Sequence, residues 1–158
     1  VIDLSVEVNS AALDRVLDKL VRGMKNLYPV MDSIGQKLES QISGRFETQS
    51  DPQGQQWAPW AESTRENYPA DGHGRILDRY GEMLRSLSQR PDSTSVRVGF
   101  GAVASKAGDV YAVYHEWGTW KMPRRGLLFD DPDQGTLGKG DEAAVLDILD
   151  VWVSELAN

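Results

Sequence analysis

Few residues in this chain are of a type and spacing that could do chemistry. There are two imidazoles, His73 and His115. His73 lies in Asp71-Gly72-His73-Gly74, a loop sequence in which it could serve as a metal ligand or general base. His115 is followed by Glu116, and such a pair can move a proton. No serine or cysteine nucleophile motif accompanies it. Thr119 stands where the second histidine of a zinc-protease helix would be. A hydrogen-bonded structural histidine is therefore the better reading of His115. Asp130, Asp131 and Asp133 cluster like cation ligands, but the calcium-loop spacing and its closing glutamate are absent. Gly99-Phe100-Gly101 lacks the further glycine of a dinucleotide fingerprint, and there is no Walker A sequence. These observations point to no catalytic residues, no cofactor and no metal.

A different group of residues stands out instead. Four of the five tryptophans fall in two segments, Arg45–Trp60 and Tyr111–Phe129, next to proline, glycine and arginine. Large aromatics beside turn residues make anchored loops of the kind that grip partners. The candidate interface residues are Trp57, Trp60, Trp117, Trp120, Lys121, Arg124 and Arg125. Trp57 and Trp60 would also serve to cover one edge of a small core. Arg124 or Arg125 would suit a carboxylate fork at a subunit contact. The alternative is a nucleic-acid-binding module, with Trp117 and Trp120 stacking on bases and Lys121, Arg124 and Arg125 meeting phosphates.

Charge weighs against that alternative. Of 24 acidic and 17 basic residues, 16 of each lie between Val1 and Phe129 and cancel. The net −7 comes wholly from Asp130–Asn158, where Lys139 alone opposes eight acids. General phosphate-backbone binding needs a basic surface. The acidic residues read as the solvated face of a final helix, or as a patch that steers a basic partner or repels DNA. Cysteine is absent, which excludes disulfides and thiolate zinc sites and fits a reducing compartment. No apolar run approaches a membrane span, and no signal-peptide pattern opens the chain.

The elements that must position these residues follow from periodicity. With 158 residues, the chain is long enough for a single domain with its own core. Ile2, Leu4, Val6 and Val8 alternate with polar residues as in a half-buried strand. Ser10 is placed to cap a helix whose stripe is Leu13, Val16, Leu17, Leu20, Val21, Met24 and Leu27. Pro29 sets a boundary near Tyr28, and Met31, Ile34, Leu38, Ile42 and Phe46 carry a second helical stripe. Asp51-Pro52-Gln53-Gly54 is a tight turn, and Glu62–Tyr68 supports a turn or two of helix. Ile76, Leu77, Tyr80, Leu84 and Leu87 predict another amphipathic helix, and Ser95–Phe100 a strand. Gly101–Asp109 reads as a turn, while Val110–Trp117 suits helix and strand equally. Leu127–Phe129 predicts a buried strand, and Asp131–Gly140 a loop. Asp141 is placed to cap a last helix with the stripe Val145, Ile148, Leu149, Trp152 and Leu156. The expectation is an α+β domain spanning residues 1–158, with a small, mostly antiparallel sheet of three to four strands packed on amphipathic helices.

The order of the segments resembles the phage virion morphogenesis family of Mu-like phages, the tail-completion or neck proteins. The resemblance begins with Phe46, Asp51-Pro52-x-Gly54-x-x-Trp57-x-Pro59 and Thr64. Ile76-Leu77-x-x-x-Gly81-x-Met83-Leu84-x-Ser86-Leu87 and Val96-x-Val98-Gly99 come next. Tyr111-Ala112-x-x-His115-x-x-Gly118 and Met122-Pro123-x-Arg125 follow, and a helix with a tryptophan near its end closes the series. Gly126, Arg124 and Trp117 depart from the residues usual there. The resemblance implies a non-enzymatic virion component, made in the bacterial cytoplasm and acting at the head–tail junction or the proximal end of the tail. It implies a cyclic homo-oligomer, with a hexamer as the expected ring, bound to head connector and tail proteins. It implies no membrane and no sequence-specific nucleic acid as partner.

Overall fold

The computed structural model describes residues 4–5, 11–101 and 111–156. Helix α1, Ala11–Gly23, turns Leu20 fully inward, with Val16 and Leu17 beside it. Helix α2, Tyr28–Thr48, carries Pro29 in its first turn, where the missing N–H costs nothing. Its buried residues Val30, Met31, Ile34, Leu38, Ile42 and Phe46 recur every three or four positions, so one face forms the centre of the core. The helix ends at Gln49, left-handed at φ 53°, with the Gln49 N–H on the Arg45 carbonyl.

Strands β1 (Leu4–Ser5), β2 (Leu87–Pro91) and β3 (Val96–Phe100) form an antiparallel sheet in the order β1-β3-β2. Leu87 pairs with Phe100 and Pro91 with Val96. The hairpin turn between them is fixed by Asp92, whose carboxylate accepts the backbone N–H groups of Thr94 and Ser95 and both of their hydroxyls. Those bonds, led by the Thr94 N–H, hold the Asp92 carboxyl down at about 2. Leu87, Val98 and Phe100 are buried from the sheet against α2. A Cβ on Gly35 would lie 2.9 Å from Val96 Cγ2, so helix and sheet meet at close range there.

Helix α6, Lys139–Leu156, buries Val145 and Leu149 and packs on both α1 and α2. The short helices are α3 (Glu62–Glu66), α4 (Glu82–Arg85) and α5 (Tyr111–Trp117). A second small sheet pairs β4 (Phe129–Asp131) with β5 (Thr136–Leu137). The architecture is the expected α+β class with small antiparallel sheets.

Three local expectations are corrected. The amphipathic helix over Ile76–Leu87 is not formed. Leu77 at φ 61° and Gly81 at φ 77° are left-handed, and only the single turn of α4 is helical. Buried Asp78 holds this stretch as a loop, accepting from Arg75 at 2.6 Å and lying 2.8 Å from His73 Nδ1. Burial alone would raise the Asp78 carboxyl, and its bonds to His73 and Arg75 outweigh that and lower it. Leu87 begins β2 instead of ending a helix. The expected loop over Asp131–Gly140 contains β5 and the start of α6. Asp141 is not the N-cap of α6, which has already begun at Lys139; it lies in the first turn and is buried. Ser10, Ile2, Val6, Val8 and the turn from residue 102 to 109 lie outside the described residues.

Candidate assembly surface

The two aromatic segments, far apart in sequence, fold against each other. Phe46 at the end of α2 and Trp57 in the following loop are both buried, edge to face at 5.7 Å and 84°. The loop reaches this position through the Asp51–Gly54 turn. Gly54 sits at φ 83°, its N–H is on the Asp51 carbonyl, and the Asp51 side chain accepts from Gln53 and Gln55. The Trp57 indole N–H then donates to the Gly126 carbonyl at 2.9 Å. Arg125 completes the seam: its Nε and Nη2 donate to the carbonyls of Ala58 and Pro59, each at 2.8 Å. The Arg125 backbone N–H donates to the His115 carbonyl at 2.9 Å.

Glu116 organises the other side of the seam. It projects inward from α5 and is 0% exposed. Its carboxylate accepts the backbone N–H groups of Leu127 and Leu128 on one oxygen and of Phe129 on the other, at 2.8 to 3.0 Å. Arg124 encloses it, donating to Glu116 Oε1 and to the backbone carbonyls of Glu116 and Phe129. The reversal between Glu116 and Arg124 depends on Gly118. Its φ is 74°, and a Cβ there would lie 2.9 Å from the Arg124 nitrogen. Arg45 supplies the last tie, donating to the Leu127 carbonyl at 2.7 Å and pairing with Asp141 at the start of α6.

The seven expected interface residues therefore separate into two groups. Trp57, Arg124 and Arg125 belong to the buried seam, and Arg124 meets the Glu116 carboxylate of the same molecule through Nη2 alone, so this is neither a two-pronged fork nor a subunit contact. Trp60 is half-buried and stacks on Tyr68 at 4.5 Å and 25°. Trp117 is 42% exposed, with its N–H on Asp133 and its ring 6.1 Å from Phe129. Trp120 is 90% exposed, and Lys121 Nζ lies 4.5 Å from its ring centroid. Tyr111 and Tyr114 extend this outward face along α5, as the helical reading of Val110–Trp117 requires.

The groups considered for chemistry are engaged otherwise. Glu116 has no exposure and carries four donors, so it is not presented to a substrate. His115 is half-buried, and its Nδ1 is a buried atom without a hydrogen-bond partner. Desolvation first, and the Arg125 charge second, push its pKa down to about 4, so the ring is neutral near pH 7. Among the described residues no cluster of three or more His, Asp or Glu could hold a metal ion. Among them, too, no helix is long and apolar enough to cross a membrane.

The described residues thus define a small α+β scaffold whose buried ionic groups hold two loops together while a set of aromatics faces outward. The chain matches the phage virion morphogenesis family over residues 8–154 of 158, and it belongs to that family. Of the residues that carried the resemblance in sequence, Arg125 bonds directly to the carbonyls of Pro59 and His115, and Trp57 joins the same seam through the carbonyl of Gly126. Neither the curated proteins nor the solved structures give a match.

Proposed function

We propose that this protein is a structural component of the phage particle that acts at the head–tail junction or the proximal end of the tail, as a ring that completes or joins the tail. Family membership across nearly the whole chain carries this reading. The use of Glu116, Arg124 and Arg125 as internal ties supports a structural part over an enzyme. The ring would be a cyclic homo-oligomer, a hexamer by expectation, contacting head connector and tail proteins. Synthesis would be in the bacterial cytoplasm. Ring closure requires two different patches on each subunit. The nucleic-acid alternative is weakened because two of its three cations, Arg124 and Arg125, donate to carbonyls and to Glu116.

The test is removal of the gene from the phage or prophage that encodes it, with the protein supplied in trans as control. Electron microscopy is expected to show filled heads and separate tails, joined again on complementation. Normal infectious particles in its absence would overturn the proposal. Filter binding at two salt concentrations addresses the alternative, since phosphate contacts weaken steeply with salt.

A further inference from the structure

Among the described residues, a pair of exposed surfaces stands out as unexplained by the packing. The first is the face of α5 and the turn after it, with Tyr111, Trp117, Trp120 and Lys121. Among the exposed residues from 111 to 125 Lys121 is the one charge, and Asp133 borders the patch at its other edge, where it accepts the Trp117 indole N–H. The second is the outer face of α6, where Asp147, Asp150, Val151, Ser154 and Glu155 are exposed, with three anions and no cation. Val151 in its middle is 58% exposed. Among the described residues no ion pair engages Asp147, Asp150 or Glu155.

The two surfaces lie toward different ends of the molecule. The N-terminal end of α6 is tied to the aromatic seam by Asp141 and Arg45, and by Gly138, where a Cβ would meet the Pro52 carbonyl oxygen. Its C-terminal end packs on α1, where a Cβ on Gly23 would lie 2.7 Å from Leu156 Cδ1. At ~1.5 Å per residue, the helix carries Ser154 about 20 Å from Asp141. The Trp120–Lys121 tip, aromatic and cationic, and the α6 face, anionic with an apolar centre, are complementary, and they are different surfaces. That is the requirement of a head-to-tail contact between identical subunits. Exposed tryptophan is also the side chain that gains most from burial at an interface.

We propose that Trp120 and Lys121 of one copy seat on the α6 face of the next, with Trp120 over Val151 and Lys121 against Asp150. The occupant of the aromatic face is thus a second copy of this chain, and the contact repeats around the ring. The inference rests on the ring proposed above.

The absence of cysteine makes a direct test available. Pro123→Cys, beside the intact Trp120 and Lys121, and Ser154→Cys place thiols at two exposed positions, and a short bismaleimide is then applied to assembled particles. The double variant is expected to give a ladder of linked multimers, and neither single variant a dimer. Dimers from Pro123→Cys alone would mean that like patches face each other, which overturns the head-to-tail contact. Particles that contain the protein but give no ladder also overturn it, and leave the virion role standing. Wild-type particles that lack the protein altogether overturn both. Charge exchange supplies a second readout. Lys121→Glu and Asp150→Lys should each lower particle yield about tenfold, and the pair together should restore most of it. Failure of the pair to recover while both single variants fold normally would sink the proposal.

Discussion

A carboxylate removed from water is stable only when its oxygens find donors, and Glu116 finds three backbone N–H groups and a guanidinium. Glu116→Gln keeps the shape but replaces one oxygen with an NH2 that faces donors. At least one N–H then loses its acceptor and Arg124 loses its counter-charge. The expected cost is about 3 kcal/mol, read as a lower urea midpoint with an unchanged slope. A midpoint equal to wild type would mean that the carboxylate is dispensable. Next to it, His115 has its pKa pushed from 6.5 to about 4 by burial and by Arg125. Between those values the unfolded chain binds the proton and the folded chain does not, so stability rises with pH across that window. The contribution is complete above pH 6.5 and is lost as pH falls toward 4. Allowing for partial exposure, it amounts to about 2 kcal/mol. His115→Gln should flatten the pH dependence of the urea midpoint over that range, and an unchanged slope would refute the assignment. The sequence marks His115 and Glu116 as a pair capable of proton transfer because the side-chain types are right. It does not disclose that Leu127–Phe129 brings its amides to Glu116, since every residue but proline carries that donor and no letter distinguishes it.

Helices and strands were legible where one periodicity had no competitor. The α2 stripe runs for five turns behind Pro29, and in β3 Val98 and Phe100 are buried while Arg97 and Gly99 between them are less so, so both emerge close to their observed bounds. Ile76–Leu87 misleads because its apolar spacing suits a helix while its conformation is set elsewhere. Asp78 is held by Arg75 and His73, and Leu87 by pairing with Phe100. Non-local bonds override local propensity there. Strand β2 gives little signal of its own, since only Leu87 among its residues is buried. The loops offer a cleaner relation between residue and conformation. Gly54 and Gly118 both have positive φ, but a Cβ on Gly54 meets nothing within 4 Å whereas one on Gly118 meets the Arg124 backbone at 2.9 Å. Gly54→Ala should therefore cost about 1 kcal/mol, from backbone strain alone. Gly118→Ala should cost about 2 kcal/mol or more, because the arginine that encloses Glu116 must also move. Thermal unfolding of the two variants compares them directly, and equal shifts would contradict this account of the Gly118 reversal.

At the scale of the molecule, the sequence conveys the α+β class and the importance of two aromatic segments, but not that they bind each other. That union is made by main-chain carbonyls, at Gly126 for Trp57 and at Ala58 and Pro59 for Arg125, which composition does not reveal. The acidic tail likewise reads as one solvated face, yet Asp141 within it is 1% exposed and joined to Arg45, 96 positions earlier. This pair links α2, the Leu127 segment and the first turn of α6, so it closes the core from one side. Its geometry is incomplete, because Asp141 Oδ1 is buried without a hydrogen-bond partner. Two consequences follow from the physics of buried charge. Arg45→Met leaves the Asp141 carboxylate uncompensated and strips the Leu127 carbonyl of its donor, for a loss of about 3–5 kcal/mol. Adding Asp141→Leu removes the stranded charge, and the double variant should regain more than about 2 kcal/mol of that loss. Urea unfolding of wild type, both single variants and the double variant measures the coupling. If the losses simply add, the ionic tie contributes nothing beyond its separate parts, and the joining of helix, loop and tail must be credited to the apolar core around Phe46, Leu127 and Leu149.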